Sequence, residues 1–255
     1  MGRLKRSLLR GCCCHITHRC HNREFLFRFN HERDLYKSLL LEMIKNYKVS
    51  VLDYIITSNH IHLLVCSDDI NYISNGMQFV QGAMAQKYNR TKKREGSFWR
   101  DRYHITLIEN GYHLTRCLFY IDFNMVRAGV VSHPEEWHWS GYDELSGRRQ
   151  RYRLIDFESL LNCVGMHESS KFIDWYNNTM KDELNNYHAR KEFWSSSLAV
   201  GSKEWIEGLA VYFPRNKREL SKVNSEVESK AMEAQSTYLL KTSKRNAVSF
   251  TRSLK

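Results

Sequence analysis

Two histidines separated by one residue, His60 and His62, form the first group in the sequence that could bind a metal ion. They lie in a segment, residues 60–66, whose hydrophobic pattern predicts a β-strand. Side chains two residues apart on a strand face the same side, so both imidazoles should project from one face and Ile61 from the other. Two imidazoles on a rigid strand can hold a metal ion. A solvated polar face of the strand is the alternative, because such a pair is weak evidence by itself.

A second group lies on a predicted helix, residues 112–128, where Tyr120 and Asn124 are one turn apart and Arg116 and Arg127 lie beside them. Two histidines and an amide oxygen would give a metal three ligands and leave open positions for a scissile phosphate. A phenol has a pKa near 10 and attacks phosphorus poorly unless a metal withdraws charge from the phosphate. The product would be a 5′-phosphotyrosine and a free 3′-hydroxyl, so the strand could be rejoined. The alternative is that Tyr120 packs against a sheet and Asn124 forms local hydrogen bonds.

The elements that must position these groups alternate along the chain. Strands are predicted at residues 11–18, 50–57, 60–66 and 98–108, and helices at 31–47, 71–88 and 112–128. Asn30 is the predicted N-cap of the first helix. The order predicts an α+β fold, a ferredoxin-like antiparallel sheet flanked by helices. In the third helix one apolar stripe should face the core, and it comprises Leu114, Cys117, Leu118, Ile121 and Met125.

Three regions are predicted from the change in charge and pattern after about residue 146. Residues 1–145 form the catalytic domain. Residues 146–212 form a mostly helical C-terminal extension, which could contact DNA. Residues 213–255 form a polar tail with a basic end, expected to be partly disordered.

Three stretches in this order resemble a known family: YIITSNHIHLLV (54–65), SFWRDRYHITLI (97–108) and FYIDFNMVRAGVV (119–131). They look like the single-tyrosine HUH transposases, where HUH stands for histidine-hydrophobe-histidine. The nearest branch is the REP-associated tyrosine transposases, which are linked to repetitive extragenic palindromes. The stretch HPEEWHWSGY (133–142) adds to the likeness. The resemblance covers about residues 10–145 and continues more loosely through LAVGSKEW (198–205).

The resemblance implies a role for individual residues. His60 and His62 match the family's metal-binding pair, Tyr120 matches its nucleophile, and Asn124 matches the polar third ligand. It also implies a ferredoxin-like fold, Mg²⁺ or Mn²⁺ as the metal, and single-stranded or hairpin DNA as the substrate. Met125 departs from the pattern, which has proline after the asparagine. Proline there would shape the helix and perform no chemistry.

Tyr88 is a rival nucleophile in the basic setting QKYNR. It follows the histidines on a different predicted helix, and no amide residue that matches the family lies one turn away. We therefore expect Tyr88 to pack or to contact DNA.

The net charge of +11 and the pI near 9.3 favour a polyanionic partner. Basic residues interleave with Trp99 and Tyr103 in a way that suits a groove for single-stranded DNA, and a second cluster could hold a hairpin stem. The alternative is a solvated loop beside core aromatic residues. The candidate DNA-binding residues are Lys87, Arg90, Lys92, Lys93, Arg94, Arg100, Arg102, Arg116, Arg127, Arg148, Arg149 and Arg151, with Arg153 in the second cluster.

The seven cysteines and the absence of a long apolar run predict a reduced, cytoplasmic protein with no membrane segment. Cysteines and histidines cluster near the N-terminus and could bind zinc, but their spacing lacks a paired motif and a second pair. A buried strand with small apolar cysteines is the favoured interpretation. The cluster comprises Cys12, Cys13, Cys14, His15, His18, Cys20 and His21.

Two other functional classes are alternatives. A non-catalytic protein that binds hairpin DNA would use the same basic surface, and the Met125 departure mildly favours it. A zinc-dependent hydrolase would need a carboxylate base and a third histidine, which the motifs lack. The intact Tyr120 favours the nicking and rejoining enzyme. Monomer and homodimer both remain open.

Overall fold

The computed structural model describes residues 10–186 and 193–212. The predicted tail, residues 213–255, lies outside the described residues. The strands are β1 (Arg10–Arg19), β2 (Ser50–Ile56), β3 (His60–Asp69), β4 (His104–Ile108) and β5 (Ala199–Val200). The α-helices are α1 (Asn30–Tyr47), α2 (Ile70–Lys92), α3 (Tyr112–Asp122), α4 (Asn124–Arg127), α5 (Tyr142–Leu145), α6 (Phe157–Val164), α7 (Ser169–Asn186), α8 (Phe193–Ser196) and α9 (Lys203–Tyr212).

The strands form one sheet in the order β2-β3-β1-β4-β5. The first four strands pair antiparallel, which confirms the predicted α+β sheet and its order of elements. β5 pairs parallel with β4 and comes from the C-terminal extension. Its two residues were predicted to be helical, and a two-residue strand is too short to leave a periodic signal.

The alternation along β1 and β3 divides the sheet into two faces. Ile16 and Ile61 are fully buried on the face covered by α1 and α2. His15 and His62 lie on the opposite face, where α3, α6 and α8 pack. The two histidines of the HUH pair therefore share a face, as the strand alternation predicts.

The predicted strand at residues 98–108 is too long. β4 begins at His104, and the preceding segment forms only an isolated bridge between Trp99 and Cys20. Trp99 is buried, stacks on His18 with ring centroids 4.1 Å apart, and donates its indole N–H to the Gln81 carbonyl oxygen at 3.0 Å. Core packing of this indole therefore replaces the predicted alternation of arginines and aromatic residues along a strand.

The predicted helix 112–128 is interrupted at Phe123, whose backbone angles are φ −76° and ψ 4°. The interruption separates α3 from α4, and Gly129 then ends the segment with a φ of 66°. The expected proline is therefore not needed for a break at this place, because α3 ends at Asp122, two residues before Asn124. The predicted apolar stripe is confirmed, since all five members are buried, namely Leu114, Cys117, Leu118, Ile121 and Met125.

The N-cap of α1 was also predicted one residue too late. Phe29 precedes the helix with extended backbone angles, and its N–H donates to a Glu32 carboxylate oxygen at 2.8 Å. Glu32 thus supplies the cap from inside the first turn, whereas Asn30 is already helical.

The C-terminal extension packs against α3. Tyr176 is fully buried, stacks on Phe119 with ring centroids 5.4 Å apart, and donates its hydroxyl to Asp122. This packing fixes the outer side of the helix that carries Tyr120. Among the described residues, no helix combines the length and the apolarity that crossing a bilayer requires.

Candidate functional site

A cavity of about 620 Å³ opens beside the end of β3 where the histidine pair lies. It brings together the four residues predicted to carry the chemistry: His60 and His62 from β3, Tyr120 from α3, and Asn124 from α4. Its other lining residues are Arg19, Arg23, Asn59, Arg127, Ala128, Ser195 and Ser196.

His62 is joined to Asn124 by a hydrogen bond. The Asn124 amide nitrogen lies 3.0 Å from His62 Nε2. An amide N–H can only donate, so His62 Nε2 must accept and carries a lone pair. The proton of the neutral His62 ring is therefore on Nδ1.

His62 Nδ1–H donates a hydrogen bond to His15 on the neighbouring strand β1. His15 Nε2 lies 2.8 Å from His62 Nδ1, and the two rings are nearly parallel with centroids 5.0 Å apart. On its other side, His15 Nδ1 lies 2.7 Å from the Trp194 carbonyl oxygen. A carbonyl can only accept, so His15 Nδ1 is the protonated nitrogen and His15 Nε2 accepts from His62.

The chain of donors and acceptors is therefore closed from both ends: Asn124 donates to His62, His62 to His15, and His15 to the Trp194 carbonyl. Each ring is neutral in this arrangement. Burial lowers the pKa of His15 to about 4 and lowers the pKa of His62 well below its usual range. Neutral imidazole is the form that binds metal ions.

His60 has its own partners at the mouth of the cavity. Its Nδ1 lies 2.7 Å from the Asn59 side-chain oxygen and 2.9 Å from Thr57 Oγ1. The amide oxygen only accepts, so Nδ1 carries the proton and Nε2 of the neutral ring carries the lone pair. Both histidines of the pair thus have an Nε2 lone pair, which is the arrangement a metal requires.

Tyr120 lies against these rings. Its ring centroid is 5.8 Å from that of His62 and 5.8 Å from that of His15, both in edge geometry. The Arg127 guanidinium carbon is 4.2 Å from the centroid of the Tyr120 ring, and Arg127 also donates to the Tyr120 carbonyl oxygen at 2.6 Å. Tyr120 is 6% exposed, so it packs against the sheet and also lines the cavity.

Sequence reasoning missed the part that His15 takes in the site. By sequence, His15 is only a zinc candidate within the N-terminal cluster of cysteines and histidines. The available signal was a histidine between the cysteines and Ile16 of the predicted strand, because a buried imidazole needs hydrogen-bond partners. Arg19, Arg23 and the α8 residues Ser195 and Ser196 were also not predicted to line the cavity.

Of the predicted DNA-binding residues, Arg127 lines the cavity. Several others form ion pairs: Arg116 donates twice to Glu183, at 2.6 and 3.1 Å. Further pairs join Lys92 to Glu32, Arg94 to Glu24, Arg100 to Asp101, Arg148 to Glu135, and Arg149 to Asp143. Lys87, Arg90, Lys93, Arg102, Arg151 and Arg153 are exposed, and Arg153 lies over the Phe157 ring. Their contacts with DNA stay a prediction.

Tyr88 contacts Phe98, with ring centroids 4.9 Å apart in edge geometry. Phe98 packs in turn against Trp99, on the sheet face opposite to His15 and His62. The structure therefore places the rival tyrosine in packing contacts away from the histidine pair.

The donor set fits a divalent metal ion. His60 Nε2 and His62 Nε2 offer lone pairs, and a turn of the Asn124 amide about its last bond would offer Oδ1 in place of the amide nitrogen. Two imidazoles and one amide oxygen are a combination found for first-row divalent ions.

Comparison with known proteins adds family information. Residues 9–124 match the family described as "Transposase IS200 like". No curated protein sequence matches the chain significantly. The structure of a REP-associated tyrosine transposase bound to a REP hairpin is similar over 62% of this chain and 96% of that chain, with 15% identity and a TM-score of 0.48. A protein of Deinococcus radiodurans assigned to the transposases is similar over 47% of this chain and 92% of that chain, with 15% identity and a TM-score of 0.34.

Proposed function

We propose that this chain is a metal-dependent transposase that nicks and rejoins single-stranded DNA through Tyr120, and the match of residues 9–124 to the IS200-like transposase family supports this proposal. The hydrogen-bond chain from Asn124 to the Trp194 carbonyl carries the proposal. It accounts for every donor and acceptor of the two buried imidazoles and leaves the His62 lone pair directed at Asn124. A merely solvated polar strand would not need this arrangement.

In the proposed reaction the Tyr120 oxygen attacks the phosphorus of a DNA phosphodiester. The Tyr120 O–P bond forms and the P–O3′ bond breaks, so the 5′-phosphate remains on the tyrosine. The phenol loses its proton, and the leaving 3′-oxygen gains one. Attack by a 3′-hydroxyl on the phosphotyrosine reverses these steps and rejoins a strand, because the phosphodiester energy is retained.

The chain's own residues have distinct parts in this step. His60, His62 and the Asn124 amide oxygen would hold Mg²⁺ or Mn²⁺, which would supply charge withdrawal from the phosphate and from the leaving oxygen. Arg127, over the Tyr120 ring, can contact a phosphate oxygen and offset the negative charge that develops there. Arg19 and Arg23 line the same cavity and can contact the flanking backbone phosphates.

The four proposed residues, His60, His62, Tyr120 and Asn124, come from one chain and line one cavity. This supports a site that is complete within a single chain. Mixing a Tyr120→Phe chain with a His62→Ala chain tests this point. No covalent product is expected from the mixture, and a product would show that a homodimer exchanges its tyrosines.

The central test is formation of a covalent adduct on a library of labelled single-stranded DNA hairpins with Mn²⁺. The wild type should give a protein–DNA adduct that resists denaturant, and Tyr120→Phe should give none. Tyr88→Phe is the matched control. It also removes one phenolic hydroxyl, but from the other face of the sheet, so it should leave the adduct unchanged.

Each other outcome has a defined meaning. An adduct that persists in Tyr120→Phe and is lost in Tyr88→Phe would transfer the nucleophile to Tyr88. Tight hairpin binding with no adduct under any metal would favour the non-catalytic DNA-binding protein. Both results would refute the proposal.

A further inference from the structure

Three thiols from three separate elements meet beside α6, and we propose that they bind one zinc ion. Cys13 comes from β1, Cys66 from β3 and Cys163 from the last turn of α6. Their sulfur atoms all lie within 4.8 Å of one another. The Sγ atoms of Cys13 and Cys163 are 3.4 Å apart, although 150 positions separate the two residues in sequence.

This cluster is separate from the candidate catalytic site. Cys13 and Cys66 are register partners on adjacent strands, and strand alternation puts them on the same sheet face as His15 and His62. Cys13 precedes His15 by two residues and Cys66 follows His62 by four residues. None of the three cysteines lines the candidate catalytic cavity. The proposal therefore does not depend on the proposed DNA chemistry.

The spacing fits a tetrahedral zinc site. A Zn–S bond of about 2.3 Å places two thiolate sulfurs about 3.8 Å apart. The Cys13 and Cys163 sulfurs are 3.4 Å apart and no pair of the three is more than 4.8 Å apart, so small side-chain shifts suffice. Cys66 and Cys163 are partly exposed, which leaves an entry path and room for water as the fourth ligand.

The local charge also suits a cation. Hydrogen bonds with the Cys13 and Cys66 thiols lower the pKa of the Cys163 thiol, which favours release of its proton to a metal. Asp156 adds a negative charge that acts on both Cys66 and Cys163. Zinc would replace the shared protons, and each remaining thiol would release its proton on binding.

Bound zinc would tie the C-terminal extension to the central strands. α6 packs against α3, which carries Tyr120, so the ion would brace the layer that covers this face of the sheet. The sequence-based search for a zinc site found no second cysteine pair, because the partners of Cys13 come from β3 and α6. The neighbouring Cys12 and Cys14 point to the opposite face.

The first experiment is alkylation of the full-length native protein with iodoacetamide, with and without zinc, mapped to peptides by mass spectrometry. Zinc should slow alkylation of Cys66 and Cys163 by about tenfold or more, because a coordinated thiolate is withdrawn from reaction. Cys12 is an internal control, since it is also partly exposed but lies outside the cluster, and its rate should not change. This readout requires no variant to fold.

The second experiment uses Co²⁺ as a spectroscopic probe. Thiolate-to-cobalt charge transfer in the near ultraviolet is expected in the wild type and in Cys12→Ser. Cys163→Ser should bind zinc at least about 100-fold more weakly. Loss of a residue that only orients a metal ligand already weakens metal binding by up to about 100-fold, and Cys163 is itself a proposed ligand. His60→Ala with His62→Ala should keep the thiolate bands, which separates this site from the proposed catalytic metal site.

Three results would overturn the proposal. The first is equal alkylation of Cys66 and Cys163 with and without zinc. The second is cobalt binding without thiolate bands. The third is a Cys13–Cys163 disulfide in freshly purified protein, which would make the pair a redox couple.

Discussion

Substitution of His15 tests the hydrogen-bond chain of the site most directly. His15 acts through His62, so it is a positioning residue: it accepts from His62 Nδ1 at 2.8 Å and donates to the Trp194 carbonyl oxygen at 2.7 Å. Two substitutions separate these contacts. In His15→Gln the amide oxygen lies about as far from the backbone as His15 Nε2 does, so the variant keeps the acceptor for His62. Asparagine carries its amide nitrogen at about the depth of Nδ1, so it keeps the donor to Trp194 and loses the acceptor.

The expected magnitude follows from the burial of both rings. His15→Asn leaves the His62 Nδ1–H without an acceptor in a buried place, which costs about 1–3 kcal/mol. Loss of the partner that orients a metal-binding histidine typically weakens metal binding or activity about 10–100-fold. These two figures agree, since tenfold corresponds to about 1.4 kcal/mol. His15→Asn should therefore raise the Mn²⁺ concentration at half-maximal adduct formation about 10–100-fold, whereas His15→Gln should change it by less than about threefold.

The assay is a Mn²⁺ titration of covalent adduct formation, with thermal unfolding of each variant measured alongside. A structural role alone would lower the stability of both variants without a difference in their metal dependence. Equal Mn²⁺ dependence of His15→Asn and His15→Gln would refute the reasoning, as would a wild-type value for His15→Asn.

Further outcomes are expected at three other places. Asn124→Leu should weaken Mn²⁺-dependent adduct formation about 100-fold or more because it removes the proposed third ligand, whereas Asn124→Asp keeps an oxygen there and should retain the proposed activity; equal loss in both would contradict ligation. A Cβ at Gly141 would collide with Asp53 Oδ1, which the Tyr54 N–H holds at 2.7 Å, so Gly141→Ala should lower the free energy of unfolding by about 1–3 kcal/mol. Gly82 in α2 has open space around it, and Gly82→Ala should raise that free energy by about 0.5–1 kcal/mol; urea unfolding measures both, and opposite signs are required. Burial raises the pKa of Asp53 well above its usual range, so the folded chain keeps a proton that the unfolded chain releases above about pH 4, and the fold loses stability as pH rises. The stability of Asp53→Asn relative to the wild type should therefore rise as pH increases above about 4, and a constant difference would contradict this origin.

The order of the elements was predictable because each of the main helices and strands has its own hydrophobic period. The amphipathic stripe of α3 and the alternation of β3 are local patterns, and both are confirmed by the buried Leu118 and Ile61. The failures lie where a tertiary contact overrides the local pattern. Trp99 belongs to a β-rich segment in sequence, but its indole packs on His18 and donates to Gln81, so the segment leaves the sheet.

The N-terminus of α1 shows, on a smaller scale, that local pattern does not fix where an element begins. Asn30 is a good capping residue by type, yet the cap is made by the Glu32 carboxylate and the Phe29 backbone N–H. Element boundaries depend on which side chain reaches the free backbone groups first, and residue type alone does not decide that.

The sequence by itself determined which residues could perform the chemistry. Strand alternation put His60 and His62 on one face, and the helical spacing put Tyr120 and Asn124 one turn apart. These are local relations, because the geometry of one strand or one helix sets them. The match of residues 9–124 to a known family also depends only on the order of residues along the chain.

The tertiary structure alone decided which other residues support these four side chains. His15 meets His62 only because β1 pairs with β3, and the Trp194 carbonyl reaches His15 only because the C-terminal extension returns to the sheet. Cys163 approaches Cys13 for the same reason. Contacts between residues far apart in sequence leave no periodic signal in either segment, so the proton positions of the histidines and the cluster of three thiols become visible only when the sheet and its covering helices are assembled.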